Sequence, residues 1–312
     1  MRVFNRRNVR RHRDRAARTR ADHDFLMREG AQRLADRLRD VTHIFPVALD
    51  LGCHGGELAA EIFAEGHPGL ARIETLIQAD LSEAMARQAA ASRPGAPAVA
   101  ADEEFLPFAD GKLDAVLSNL SLHWVNDLPG ALVQIRRALK PDGLFLASIL
   151  GGGTLAELRD CLAEAEIAEA GGLSPRVSPF ADVRDLGALL QRAGFALPVV
   201  DSDTVTVSYE TPMKLLMDLR GMGESNAVRE ARKGLTGRNV IARAMALYGK
   251  RHGDDDGRFR ATFQIITMTA WAPTETQQKP LRPGSAGARL ADALDAEEIS
   301  LGEKAGPGPG AD

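Results

Sequence analysis

The chain has 312 residues, 44% of them apolar, and a formal net charge of −4. That length allows one large domain or two small ones with a sizeable core, and the charge excludes a protein that holds nucleic acid by overall attraction. Cys53 and Cys161 have neither metal spacing nor a disulfide framework, and no apolar run reaches membrane-spanning length, so a soluble cytoplasmic protein is the expectation.

Residues 1–20 carry nine arginines against one acid, Asp14. The segment is too charged for a secretory signal, and it lacks the serines of a mitochondrial transit peptide. The expectation is a solvated, partly helical arm. The sharper alternative is a basic patch for an acidic partner, an RNA or a peripheral membrane contact. Phe25 to Leu38 has its apolar residues on one helical face and reads as an amphipathic helix.

Val47-Ala48-Leu49 suits a buried parallel strand, closed by Asp50. Gly52, Gly55 and Gly56 crowd the turn that follows, and Glu57 to Ala64 reads as a helix. Such a turn lets a ligand approach backbone that a Cβ would block. His54 stands among these glycines, where a side chain restricts φ; Gly55 and Gly56 are expected to absorb the backbone demand. Ile73 to Ala79 is a second strand ended by Asp80, after a turn at His67-Pro68-Gly69. An acid there can accept both hydroxyls of a ribose, or it can cap the helix Ser82 to Ala90.

Ala98 to Ala101 is a third strand, followed by Asp102 and Glu103. Leu113 to Ser118 is a fourth, and it leads into Asn119-Leu120-Ser121-Leu122-His123-Trp124. Ala131 to Leu139 is a helix, Lys140 to Gly143 a turn and Leu144 to Leu150 a fifth strand. Strand and helix alternate five times, which requires a parallel sheet with crossovers. Acids or amides at Asp50, Asp80, Asp102 and Asn119 all fall at strand ends, where open α/β sheets bind ligands.

Beyond Gly151 the expected elements are helices at 154–170, 182–193, 211–220 and 239–248, and strands at 195–200, 204–209 and 259–271. Helices outside the sheet order are expected to form a lid. The resulting division is an arm and helix at 1–40 and a domain at 41–272 with lid inserts at about 151–180 and 211–250. Residues 273–312, rich in Pro, Gly and Ala, make a disordered tail.

The run Asp50-x-Gly52-x-His54-x-Gly56 resembles D-x-G-x-G-x-G, the first motif of class I S-adenosylmethionine-dependent methyltransferases, with His54 in place of the middle glycine. The segments SNLSLHWVNDLPGAL (118–132), SPFADVRDLGALLQRAGF (178–195) and GMGESNA (221–227) resemble one branch, the respiratory complex I assembly factor 5 family, and the start VFNRRNVRRHRDRAA is similar to it too. A more distant resemblance is to the malonyl-acyl carrier protein methyltransferase of biotin synthesis. The resemblance implies a Rossmann-like α/β fold with a mostly parallel seven-stranded sheet. It implies S-adenosylmethionine as cofactor, held by Asp50, Gly52, Cys53, Gly56, Asp80, Leu81, Asp102, Glu103 and Asn119. It also implies a protein substrate, an iron–sulfur subunit of complex I, with hydroxylation of an arginine as the reaction.

If a methyl group is transferred, a weak nucleophile needs a base, and His123 is the histidine on a cofactor-side loop; packing of His123 and Trp124 under the lid is the alternative. Glu224 suits a guanidinium, or it caps a helix with Ser225 and Asn226. The spacing His-x-Asp at His12/Asp14 and His252/Asp254 lies in charged stretches and reads as accidental, so no metal is assigned. The rival functions are a carrier-protein or small-molecule methyltransferase and a non-catalytic assembly chaperone; the acids at Asp50, Asp80 and Asp102 speak against the chaperone.

Overall fold

The computed structural model describes residues 2–64, 72–180, 182–234, 236–275 and 277. Met1–Thr274 make one compact unit and Glu275–Asp312 a second. The expected turn at His67 to Gly69 and the tail beyond 277 lie outside the described residues.

Seven strands form one sheet: β1 (Phe45–Leu51), β2 (Ile73–Asp80), β3 (Ala98–Ala100), β4 (Leu113–Asn119), β5 (Leu139–Leu150), β6 (Ala196–Tyr209) and β7 (Phe259–Trp271). Their order is β3-β2-β1-β4-β5-β7-β6. The first five pair in parallel, and β7 runs antiparallel between β5 and β6. The chain order reverses between β1 and β4, so a crevice opens at their carboxyl ends.

Nine helices occur among the described residues: α1 (Arg6–Ala16), α2 (Phe25–Asp40), α3 (Glu57–Ile62), α4 (Glu83–Ser92), α5 (Leu128–Ala138), α6 (Ala156–Ala170), α7 (Val183–Arg192), α8 (Pro212–Met222) and α9 (Arg238–His252). Leu49, Leu51 and Val116 point to one face, where Leu132 and Ile135 of α5 and Leu186 and Leu190 of α7 cover them. Ala48, Ala115 and Leu117 point to the other, under Leu34 and Leu38 of α2 and Leu58 of α3. Alternate side chains of a strand take opposite faces. With helices on both faces the central strands are apolar throughout, and each fully buried leucine contributes about 1.5–3 kcal/mol. A third core gathers α6, α8 and α9 against Leu26 of α2, Leu150 and Ile265.

The structure departs from expectation in three places. The two strands at 195–200 and 204–209 are one strand, β6, whose pairing with β7 runs through Asp201-Ser202-Asp203 without a break. The acids between the two expected strands are balanced from α2, where Asp201 pairs with Arg37 and Asp203 with Arg33. Lys140 to Gly143 lies inside β5, with Lys140 tied to Asp114 and Asp142 at a φ of 64°. The basic arm is no solvated appendage: Val9, Arg13 and Ala16 of α1 are buried.

Candidate functional site

Asp50 sits within β1, paired with Gln78 and Leu117 on either side, one residue from the strand's end. Gly52 and Gly56 take φ values of 75° and 92°. A Cβ on Gly52 would collide with Ser121 Oγ. His54 adopts a φ of 49° itself, while Gly55 has no positive φ. The demand expected to fall on the flanking glycines therefore falls partly on His54. Its ring holds it there: Nε2 donates to the carbonyls of Asn119 and Leu120 at 3.1 and 3.2 Å. Burial, with Arg13 and Arg20 nearby, pushes this histidine down to about 3, so the ring is neutral. Cys53 is buried, and its N–H donates to Ala79 O.

Asp50 is fully buried, and neither of its carboxylate oxygens has a partner among the described residues. Burial, helped by the charge of Asp80, pushes its carboxyl up to about 8. A buried carboxylate without donors is costly. A ligand ammonium would supply both charge and donors, so this end of the turn fits the amino group of S-adenosylmethionine.

The other expected acids are occupied. Asp80 Oδ1 accepts from Ser82 N at 2.7 Å, Oδ2 accepts from His54 N at 3.1 Å, and Arg13 Nη1 lies 3.2–3.3 Å from both oxygens. Ser82 caps α4 itself, its Oγ accepting from Met85 N. Arg13 Nη1 also donates to Glu103 Oε1 at 2.8 Å, and Nη2 to Ser121 Oγ at 2.8 Å. Arg6 donates to Asp102 Oδ1 at 2.6 Å and to Glu103 Oε2. Burial would raise Glu103, but Arg13 and Arg6 outweigh it and hold the carboxyl far below its usual range. Asp80 moves the other way, raised by burial and by Glu103 although Arg13 opposes it. The split follows the geometry, since Glu103 has two guanidinia and the shorter contact.

Two expected cofactor residues have other work. Asn119 Nδ2 donates to Met27 O at 2.7 Å, and its Oδ1 accepts from Ser148 Oγ at 3.0 Å. That side chain ties α2 to the sheet, so its amide is engaged within the chain. Leu81 packs against the cluster of Phe4, Val9 and Trp124. Arg6, Arg13 and Ser121 were missed as site residues. The signal was the spacing Arg6, Val9, Arg13, Ala16, which puts two arginines and two apolar residues on one helical face.

From the 3₁₀ turn Leu122–Trp124, His123 Nε2 and Trp124 Nε1 donate to Glu224 Oε2 at 3.0 and 2.9 Å. Glu224 caps no helix, for α9 starts only at Arg238. Its side chain is 5% exposed. Burial would raise it, but the adjacent His123 pulls it below the ordinary carboxylate range. Oε1 makes no hydrogen bond among the described residues. Glu224 borders a cavity of 210 Å³ walled by Leu150, Leu155, Leu158, Phe180 and Leu219. Arg176, also on that wall, is paired with Glu166. The arrangement is a cavity with mostly apolar walls that a buried acid, Glu224, borders beside Arg176, Ser178, Ser225 and Asn226.

Residues 49–147 match a family model described as a methyltransferase domain. The chain is 44% identical to the protein named arginine-hydroxylase NDUFAF5, mitochondrial, of Danio rerio, over 94% of this chain and 89% of that one. It is 35% identical to the malonyl-[acyl-carrier protein] O-methyltransferase of Methylovorus sp. (strain MP688), over 85% and 88%. A solved structure of a candidate methyltransferase from Bacillus halodurans C-125 superposes with a TM-score of 0.54 at 16% identity, covering 78% of this chain and 99% of that one; this similarity shows the fold.

The expectation of a cytoplasmic protein is corrected. The arginine-hydroxylases that match are named as mitochondrial, and they point to that compartment instead. Apolar content and cysteine count do not distinguish two reducing compartments. No helix among the described residues is long and apolar enough to cross a membrane.

Proposed function

The chain belongs to the arginine-hydroxylase NDUFAF5 family, a branch of the class I methyltransferase superfamily, and on that premise we propose that it modifies an arginine of a partner protein with S-adenosylmethionine bound as cofactor. It is an enzyme. The carrying observation is Glu224, an ionised, buried carboxylate that borders a cavity with mostly apolar walls and has one oxygen without a hydrogen bond among the described residues. An arginine has an aliphatic stem for such walls and a planar fork that carboxylates bind well.

Each side chain then has a task. Asp50 accepts from the cofactor's amino group, and Gly52 and Gly56 allow the close backbone approach. Asp80 and Glu103 are the acceptors for the adenosine moiety. His123 and Trp124 hold Glu224 through Oε2, leaving Oε1 to face the guanidinium. His123 thus positions the acid instead of serving as a free base. The bound cofactor supplies a sulfonium centre carrying an activated methyl group. The modification proposed is hydroxylation, as in the name of the relatives: an arginine C–H becomes C–OH, with molecular oxygen as oxidant and oxygen source and a two-electron reductant taking its second atom to water. The proposed target is an iron–sulfur subunit of respiratory complex I. Arg2, Arg7, Arg11 and Arg18 are exposed along the arm, a basic edge suited to a peripheral contact near an anionic membrane.

The rival reading, a carrier-protein methyltransferase, matches at lower identity. It also sets the charge wrongly, because a malonyl carboxylate would meet the Glu224 carboxylate in a buried site. Mass spectrometry of the iron–sulfur subunits from a strain lacking this protein tests the proposal. One arginine should lose the mass of an oxygen atom, and wild-type protein but not Glu224→Gln should restore it. Loss of a methylene mass would mean methyl transfer instead. An unchanged set of arginines would sink the reading.

A further inference from the structure

We propose that α1 is a plug in the cofactor cleft: Arg13 occupies the acids that the adenosine of the cofactor requires, and the helix must withdraw before the cofactor seats. The inference rests on the S-adenosylmethionine reading and adds a gate to it.

The Arg13 side chain comes from outside the sheet yet is 1% exposed. Its guanidinium bridges Asp80 at the end of β2, Glu103 beyond β3 and Ser121 beyond β4. These three elements border the crevice beside β1. Ser121 Oγ presses on the face of Gly52 where a Cβ would be, and Glu103 Oε1 lies behind it. The adenosine side of the glycine turn is thus filled by this chain's own groups, whereas the carboxylate of Asp50, before the turn, has no hydrogen-bond partner among the described residues. Further contacts pin the helix. Asp14 Oδ1 accepts from Ser82 Oγ at 2.5 Å, and Ala17 O accepts from Gln88 Nε2. Two positive groups, Arg6 and Arg13, neutralise acids that would otherwise repel one another.

The opposite edge of the helix holds the loop that carries Glu224. His12 Nδ1 donates to Ser225 O at 3.1 Å, Arg15 Nη2 donates to Ser225 Oγ at 3.1 Å, and Asn5 N donates to Ala227 O at 2.8 Å. One helix therefore bridges the cofactor acids and the arginine-binding loop. Its withdrawal frees both, so the cofactor prepares the site for the partner protein. A ligand shifts such an equilibrium only through its different affinity for the two states. Here that difference is direct, because Arg13 and the adenosine compete for the same acceptors.

Hydrogen exchange of the full chain, with and without S-adenosylmethionine, tests the gate. Amides of residues 6–16 and 224–228 should exchange faster with the cofactor, while those of 47–58 and 79–82 should slow. Arg13→Met should bind the cofactor at least tenfold more tightly by calorimetry. Slower or unchanged exchange in α1 while the glycine turn is protected would overturn the plug and leave the cofactor reading standing. Equal or weaker binding by Arg13→Met would overturn it too, making Arg13 a cofactor ligand or a bystander. No protection at 47–58 would overturn the cofactor reading and the plug with it.

Discussion

Arg13 donates to Glu103 across 2.8 Å although 90 positions separate the two in sequence, and both side chains are buried. Removing one partner of a buried pair costs about 3–5 kcal/mol, because the other charge is left uncompensated. Glu103→Gln should lower stability at pH 7 by an amount of that order, reduced to the extent that Asp80 and Asp102 take up the two guanidinia. The sign with pH follows from the low position of the Glu103 carboxyl. A depressed folded value contributes stability above the unfolded glutamate value of about 4.3 and loses it as pH falls below that. Urea unfolding should therefore show wild type and Glu103→Gln converging as pH falls below about 4.

Asp50 behaves in the opposite sense. Its carboxyl is raised to about 8, so it favours the ligand-free fold when protonated. That contribution is present below the unfolded aspartate value of about 3.9 and is lost as pH rises towards the folded one. Asp50→Asn should make the ligand-free protein at least as stable as wild type at pH 8. The same substitution should weaken S-adenosylmethionine at least tenfold. In wild type, binding near pH 7 should release a proton, seen by calorimetry in buffers of different ionisation enthalpy. Asp50→Asn should release none, and equal proton release by both would remove Asp50 from the amino-group site.

His54 combines two opposing effects. Its φ of 49° favours glycine, but its ring N–H satisfies the carbonyls of Asn119 and Leu120. Leaving the two carbonyls unsatisfied costs about 1–3 kcal/mol, and the space emptied by a fully buried ring adds a cavity cost, against about 1–2 kcal/mol returned by relief of one left-handed residue. His54→Gly should therefore lower the melting temperature while holding cofactor affinity within a few-fold. A large loss of affinity in a folded variant would mean that the imidazole touches the ligand.

How far these features were legible depends on the kind of signal. Asp50, Asp80 and Asp102 are legible as acids at strand ends because strand ends and glycine turns mark themselves by period and composition. Glu224 stands out through a short motif, and its role remains a proposal. Arg6 and Arg13 were missed because a run of arginines reads as solvated unless its helical face is inspected, and their partners lie far along the chain. The continuity of β6 was hidden for a similar reason. Asp201 and Asp203 interrupt the apolar alternation, and only Arg37 and Arg33 of another element balance them. Asn119 stood at a strand end as expected, but only tertiary structure shows Met27 O and Ser148 Oγ using its amide.

The cavity at Glu224 can be attacked by charge and by shape separately. Glu224→Gln keeps the size and removes the charge that a guanidinium needs. The amide oxygen can still accept from both donors, His123 Nε2 and Trp124 Nε1, but those bonds lose their charge, so some stability should go, on the order of 1 kcal/mol. Leu216→Phe adds bulk to a half-buried wall position that makes no polar contact with the acid. It should narrow the cavity for the arginine stem and leave both Glu224 and the cofactor acids untouched. Both variants should keep S-adenosylmethionine affinity within a few-fold, measured by calorimetry, and both should lose arginine modification of the partner. Glu224→Asp, with charge kept and reach shortened, should retain part of the activity. If Leu216→Phe stays fully active while Glu224→Gln is dead, the acid matters but the guanidinium enters by another route. If Glu224→Gln remains active in a folded protein, the carboxylate is a structural anchor for Trp124 and the arginine site lies elsewhere.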